Sequence, residues 1–149
     1  MKPLDLAYAA GFFDGEGSVS IMRRSRNGRV VHYLWAAVGQ NDGATLDWLK
    51  DNFGGSVYRV KRDGSFYWAL SDRTVYLFMK EIEPFLKYKR PQAKLAIRFY
   101  EERIDSKRKS NRKAALPQEE IDEREKMRQE MKYLKTIFTN SSHVRSNND

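Results

Sequence analysis

The stretch Leu6–Val19, LAYAAGFFDGEGSV, constrains the fold more than any other part of the chain, because its periodicity changes midway. Pro3 is a helix-start residue and Asp5 an acid in the first turn, so the apolar run that follows predicts one short helix over roughly 3–14, closed at Gly15 and Gly17. From Ser18 onward Val19 and Ile21 alternate with Ser18, Ser20 and Met22, the two-residue period of a half-buried strand. Within the helix, Ala7, Gly11 and Gly15 recur every four residues. Such a stripe lets a second helix approach until backbones touch, either a tight contact inside the chain or a contact with a second copy. Glycine in a helix costs about 1 kcal/mol against alanine, which asks for a packing reason. Asp14 and Glu16 fall at the negative end of the helix dipole, where a nearby cation would relieve them.

The remaining segments alternate in the same way. A turn at Ser25–Gly28 leads into a strand over about 30–38, with Leu34, Ala36 and Val38 on one face and Tyr33 and Trp35 on the other. Asp42 or Asn41 caps a helix near 43–53 that Gly54 and Gly55 end. Strands 56–62 and 65–71 meet at Asp63-Gly64, with Val60, Phe66, Trp68 and Leu70 as candidate core residues. A helix around 73–83 runs into Pro84, and a longer one opens at Pro91 and continues to about 105. The expected fold is α+β, in the order α-β-β-α-β-β-α-α, with a main unit over 1–105. Residues 106–116 read as a basic linker, 117–138 as a helical appendage docking through Ile121, Met127, Met131, Leu134 and Phe138, and 139–149 as a flexible tail.

Composition then narrows the chemistry. With no cysteine and only His32 and His143, the chain offers no disulfide, thiolate zinc site or cysteine nucleophile, so any metal must be held by oxygen. The longest apolar stretch, Leu6 to Phe13, is far short of a membrane span, and the expectation is a soluble, intracellular protein, in cytoplasm or organelle, with no membrane partner. The net charge is +8, and its distribution is uneven: 1–113 hold 22 basic and 13 acidic residues, whereas 114–149 hold 6 and 7. Either the front of the chain faces a polyanion or the excess merely solubilises it.

AAGFFDGEG at positions 9–17 resembles the LAGLIDADG motif of homing endonucleases in its central Gly11, its acidic pair Asp14 and Glu16, and its final Gly17 before an alternating strand. The α-β-β-α-β-β-α order is similar to the core of that family over about residues 4–105. The resemblance implies a four-stranded antiparallel DNA-binding sheet, and an intron-encoded endonuclease dependent on Mg²⁺, with Mn²⁺ substituting and Ca²⁺ supporting binding without cleavage. It implies that Glu16, with Gly15 beside it, holds the metal, and that Asp14 caps and orients the helix. It further implies that Gln40 orients the water network and that Lys89 polarises water or steadies the leaving oxygen; Ala44 stands where some relatives carry a basic residue. One motif per chain implies a homodimer, paired through Ala7, Gly11, Asp14 and Gly15, because a double-strand break needs two carboxylate sites.

The polar sides of the hairpins are rich in donors. Ser18, Ser20, Met22, Arg24, Arg26, Arg29, Tyr33, Trp35, Arg59, Lys61 and Tyr67 are the candidate DNA contacts, since an antiparallel ribbon fits the major groove and Arg can pair with guanine there. Basic residues from Arg98 to Lys113 are candidates for phosphate contacts. A non-cleaving regulator or an intron-RNA maturase of the same fold, and an RNA-binding sheet protein of another class, are the competing readings.

Overall fold

The computed structural model describes residues 1–109 and 115–144. Its elements are α1 (Pro3–Glu16), β1 (Gly17–Arg26), β2 (Arg29–Gln40), α2 (Ala44–Phe53), β3 (Ser56–Arg59), β4 (Phe66–Ser71), α3 (Arg73–Ile82), a 3₁₀ turn (Glu83–Phe85), α4 (Arg90–Lys109) and α5 (Gln118–Val144). The strands form one antiparallel sheet in the order β1-β2-β4-β3, which leaves β1 and β3 as edges. This is the α+β arrangement expected, with two hairpins side by side and helices over one face.

Local chemistry explains most boundaries. Pro3 opens α1, and its last turn carries both motif carboxylates, so the helix runs two residues further than the glycines suggest. Gly17 is required by packing: a Cβ there would collide with the Phe13 ring lying over it. The β1–β2 turn is only Asn27-Gly28, both in the left-handed region (φ 51° and 73°), as a tight hairpin of this kind demands, and the two strands therefore extend to Arg26 and back from Arg29. The Asp42 carboxylate accepts from the Ala44 amide at 3.1 Å and starts α2. The second hairpin departs from expectation. β3 stops at Arg59, and residues 60–65 form a wider loop in which the Val60 amide donates to the Ser65 carbonyl (2.8 Å), while the Asp63 carboxylate accepts from the Ser65 amide (3.0 Å). Asp63 is thus spent inside the loop instead of closing a two-residue turn.

Val19, Ile21, Leu34, Ala36, Val38, Trp68 and Leu70 face the helices and are buried. Phe13, Phe53, Trp68 and Phe78 meet edge to face with centroids 4.8–5.5 Å apart around Phe78, a geometry worth about 0.5–1.5 kcal/mol per pair beyond the area buried. Val60 and Phe66, expected in the core, are only half-buried.

The C-terminal helix does not stand apart. Met127 and Met131 are buried in the main core cluster, with Leu134 packed against it. Helix α4 continues to Lys109 where a linker was expected, and α5 runs to Val144 through part of the expected tail; 110–114 and 145–149 lie outside the described residues, as does the Phe138 side chain. Polar contacts fix α5 further. Glu125 bonds the buried His32 ring at 2.9 Å, and this contact, with those to Gln129 and Arg128, lowers its carboxyl to about 2. Arg98 joins Glu130 at 3.0 Å across the α4–α5 interface. No helix among the described residues is long and apolar enough to cross a membrane.

Candidate active site and nucleic-acid interface

The end of α1 is organised around Asp14. Its Oδ2 accepts from the amides of Lys87 (2.7 Å) and Tyr88 (3.1 Å), and its Oδ1 from that of Lys89 (2.8 Å). Asp14 therefore caps the turn between the 3₁₀ segment and α4 of its own chain, and both its oxygens are used there. That turn in turn delivers Lys89, whose Nζ donates to the carbonyls of Phe13 (3.1 Å) and Asp14 (2.7 Å). Here is the cation that carboxylates at a helix C-terminus call for: the ammonium sits on two last-turn carbonyls at the negative end of the helix, that of Phe13 also accepting the Gly17 amide. Burial lowers the Lys89 pKa, while Asp14 and Glu16 oppose that shift and Lys135 adds to it.

Glu16 is the last residue of α1 and is exposed, and among the described residues it makes no ion pair. The β1–β2 ladder begins at the next residue, with Gly17 opposite Val38, so Glu16 ends its helix at the same end of the sheet where β2 finishes at Gln40. Gln40 ends β2, half-buried and on the same parity as Leu34, Ala36 and Val38. Among the described residues no group of three His, Cys, Asp or Glu side chains could cage a metal ion. A hard divalent cation does not need such a cage, since magnesium is commonly held by one or two carboxylates together with substrate phosphates and water. Glu16 with the adjacent Gly15 carbonyl fits that donor set.

The small stripe on α1 is not consumed inside the protomer. Ala7, Gly11 and Gly15 are exposed, and a Cβ at Gly11 or Gly15 would meet nothing within 4 Å. Leu4 and Tyr8 share that face, 82% and 52% exposed.

The face of the sheet away from the helices carries the donors. Ser18, Met22, Arg24, Arg26 and Arg29 are exposed along the first hairpin, Ser20 and Tyr33 half-buried, and the Arg24 guanidinium lies 5.7 Å from the Tyr33 ring centroid. Trp35 pairs with Ser20 across the ladder, and Tyr67 stacks on Tyr58 at 5.8 Å. Tyr58, which the sequence pattern did not single out, is thus part of this surface. Arg59 is not. It pairs with Phe66 on the opposite side, its guanidinium 5.7 Å from that ring, and its Nε reaches the Gly64 carbonyl at 3.4 Å. Lys61 projects from the exposed 60–65 loop. The buried Arg103 is engaged within the protein, with the His32 carbonyl (2.9 Å) and Asp72 (2.8 Å), which removes it from the expected phosphate contacts; Arg98 is exposed in its ion pair with Glu130, and the side chains of 106–113 lie outside the described residues.

No family model matches the chain. A curated relative, the DNA endonuclease I-CreI of Chlamydomonas reinhardtii, is 28% identical over 102 residues, which are 65% of this chain and 63% of that protein, so the match spans less than two thirds of the relative's length. A crystal structure of the homing endonuclease I-CvuI with the I-CreI target superposes with a TM-score of 0.74 at 21% identity, covering 88% of this chain and 82% of that one. The archaeal intron-encoded homing endonuclease I-Vdi141I, complexed with DNA, gives 0.73 at 14% identity over 88% and 84%. The chain has the fold of these homing endonucleases and carries one LAGLIDADG-like motif.

Within that frame Asp14, the first motif acid, is a structural residue whose removal has a clear expected result. Asp14→Ala leaves three amides without their acceptor; an unpaired amide costs about 1–3 kcal/mol, with half-exposed groups at the low end, so a loss of about 3 kcal/mol in urea denaturation is expected. A residue that sequence reasoning missed lies against the strand that follows the motif. Lys135 of α5 donates from Nζ to Ser18 Oγ (2.8 Å) and Ser20 Oγ (2.6 Å), and burial lowers its pKa. Its separation of more than a hundred residues from β1 gives no periodic signal; only the docking stripe of α5 hinted at proximity.

Proposed function

We propose that the protein is a site-specific homing endonuclease which, as a homodimer, makes a metal-dependent double-strand break in a long pseudo-palindromic DNA site. The observation that carries this reading is the division of labour at the motif: Asp14 is spent on structure, while Glu16 is left exposed at the helix end with Lys89 fixed beside it. Two helices packed through the open Ala7, Gly11 and Gly15 face would bring two such ends together, one for each strand.

Glu16 and the Gly15 carbonyl would hold a magnesium ion. When bound, such an ion supplies a lowered water pKa and charge stabilisation at the phosphate. Lys89 places a positive charge where negative charge develops on the transferring phosphate oxygens, already fixed by two carbonyls so that little reorganisation is needed. Gln40, at the end of β2, orients water. The outer face of the two hairpins would lie in the major groove, with Arg24, Arg26 and Arg29 the residues able to pair with guanine and Ser20, Trp35, Tyr58 and Tyr67 shaping the contact.

The test is a cleavage selection: incubate the protein and Mg²⁺ with a partly randomised duplex library and sequence the new ends. Paired cuts at one pseudo-palindromic motif are expected. Enrichment of bound duplex without new ends would instead identify a non-cleaving regulator, and structured intron RNA would then be the next ligand to try.

A further inference from the structure

We infer that Lys135 of α5, together with Ser18 and Ser20, forms a phosphate-binding clasp beside Glu16 that positions the DNA strand to be cut. The inference deepens the nuclease reading and rests on it for the identity of the neighbouring phosphate.

Helix α5 packs with Met127 and Met131 in the core and reaches His32 on the helix side of the sheet. Lys135 nevertheless bonds Ser18 and Ser20, whose side chains lie on the opposite side from Val19 and Ile21. Its aliphatic stem must therefore pass around β1, which is an edge strand, and the ammonium emerges on the outer face. Ser18 and Ser20 lie two and four residues beyond Glu16. Both serines therefore sit on the strand that leaves the helix end carrying Glu16.

The hydrogen-bond directions also suit an anion. Each serine oxygen accepts from the ammonium, so each keeps its own O–H to donate, and the three groups together present one positive charge and two hydroxyl donors. Lys135 and Lys89 are near enough to interact electrostatically, although they come from different elements. Two half-buried ammonium groups within electrostatic range repel, and an anion bound at the Lys135 end relieves that repulsion. Elsewhere α5 is acidic, with Glu119, Glu120, Asp122 and Glu123 in its first two turns, far along the helix from this point.

The test compares wild type with Lys135→Met, which keeps the stem, and Lys135→Arg, which keeps the charge. The first readout is the salt dependence of binding to sonicated duplex DNA; the second is the rate of cutting at the site recovered by selection. The Met variant should lower the slope of log K against log salt by about 0.9 for each phosphate it no longer neutralises. It should also slow cutting on the order of 10²-fold, as when one donor to a charge-bearing oxygen is removed, with Arg restoring most of both and thermal stability unchanged. An unchanged slope with full cutting overturns the clasp. Faster cutting by the Met variant also overturns it, and would mean that Lys135 blocks the serines. If wild type binds duplex but produces no new ends, the nuclease reading fails while the slope still decides the clasp.

Discussion

Glu16→Gln is expected to bind the selected site as well as wild type and to cut it about 10³-fold more slowly or not at all. The change removes one negative charge and adds no volume, and because Glu16 is exposed and makes no ion pair among the described residues, the fold loses only its through-space attraction to Lys89, to which Asp14 also contributes. Stability in urea should therefore stay within about 0.5 kcal/mol of wild type, the usual range for a surface substitution. A divalent ion contributes several kcal/mol of stabilisation to a phosphoryl transition state, and about 4 kcal/mol is about a thousandfold in rate. Binding should hold or tighten, since the amide no longer repels the phosphate. Cutting rates in Mg²⁺ and gel-shift affinity in Ca²⁺ check the two halves separately. A Gln variant that cuts at more than a tenth of the wild-type rate would remove Glu16 from the metal site.

The contrast between Glu16 and Asp14 shows where sequence reading stops. Motif spacing places both acids at a helix end, and the physical expectation that they need a cation is answered by Lys89. What the spacing does not reveal is that the Lys87–Lys89 amides engage both oxygens of Asp14, because that contact spans more than seventy residues. Local signals otherwise serve well wherever one residue type decides the backbone. Pro3, the Asn27-Gly28 turn, the Asp42 cap and the positive φ of Gly54 are all read from short sequences. The second hairpin is harder. Val60 looks like an inward strand residue, which turns its neighbours Arg59 and Lys61 outward; in fact the chain has already left β3, and Tyr58 holds the outer position. One apolar residue in a loop inverts the apparent parity of a four-residue strand. Helix α5 is legible as a helix with a stripe, but its partner is not, because a stripe says how a helix docks and not against what. The buried His32, Arg103 and Arg124 that surround its docking site are polar residues that no hydrophobic pattern would place inside.

The glycine stripe raises the question of why α1 keeps residues that weaken it. Gly11 and Gly15 together cost the helix roughly 2 kcal/mol against alanine, and within the protomer nothing would touch a Cβ at either site. A packing reason inside the chain is therefore absent among the described residues, and a partner helix supplies one. Gly11→Leu separates the two possibilities. In the isolated protomer leucine has open space and a better helix propensity, so the monomer should be as stable as wild type or more so. Across a two-fold axis the substitution appears twice at the point of closest approach. Overpacking costs about 1–3 kcal/mol per site, so the pair should weaken dimerisation by roughly 2–6 kcal/mol, which is roughly 30-fold to 10⁴-fold in Kd. Double-strand cutting should fall with the dimer, since each protomer carries one Glu16. Light scattering over a concentration series measures the association, and urea denaturation confirms that the protomer is intact. A variant that unfolds more easily would place a neighbour on Gly11 within the chain, whereas one that stays dimeric and still cuts would move the interface to another face of the molecule.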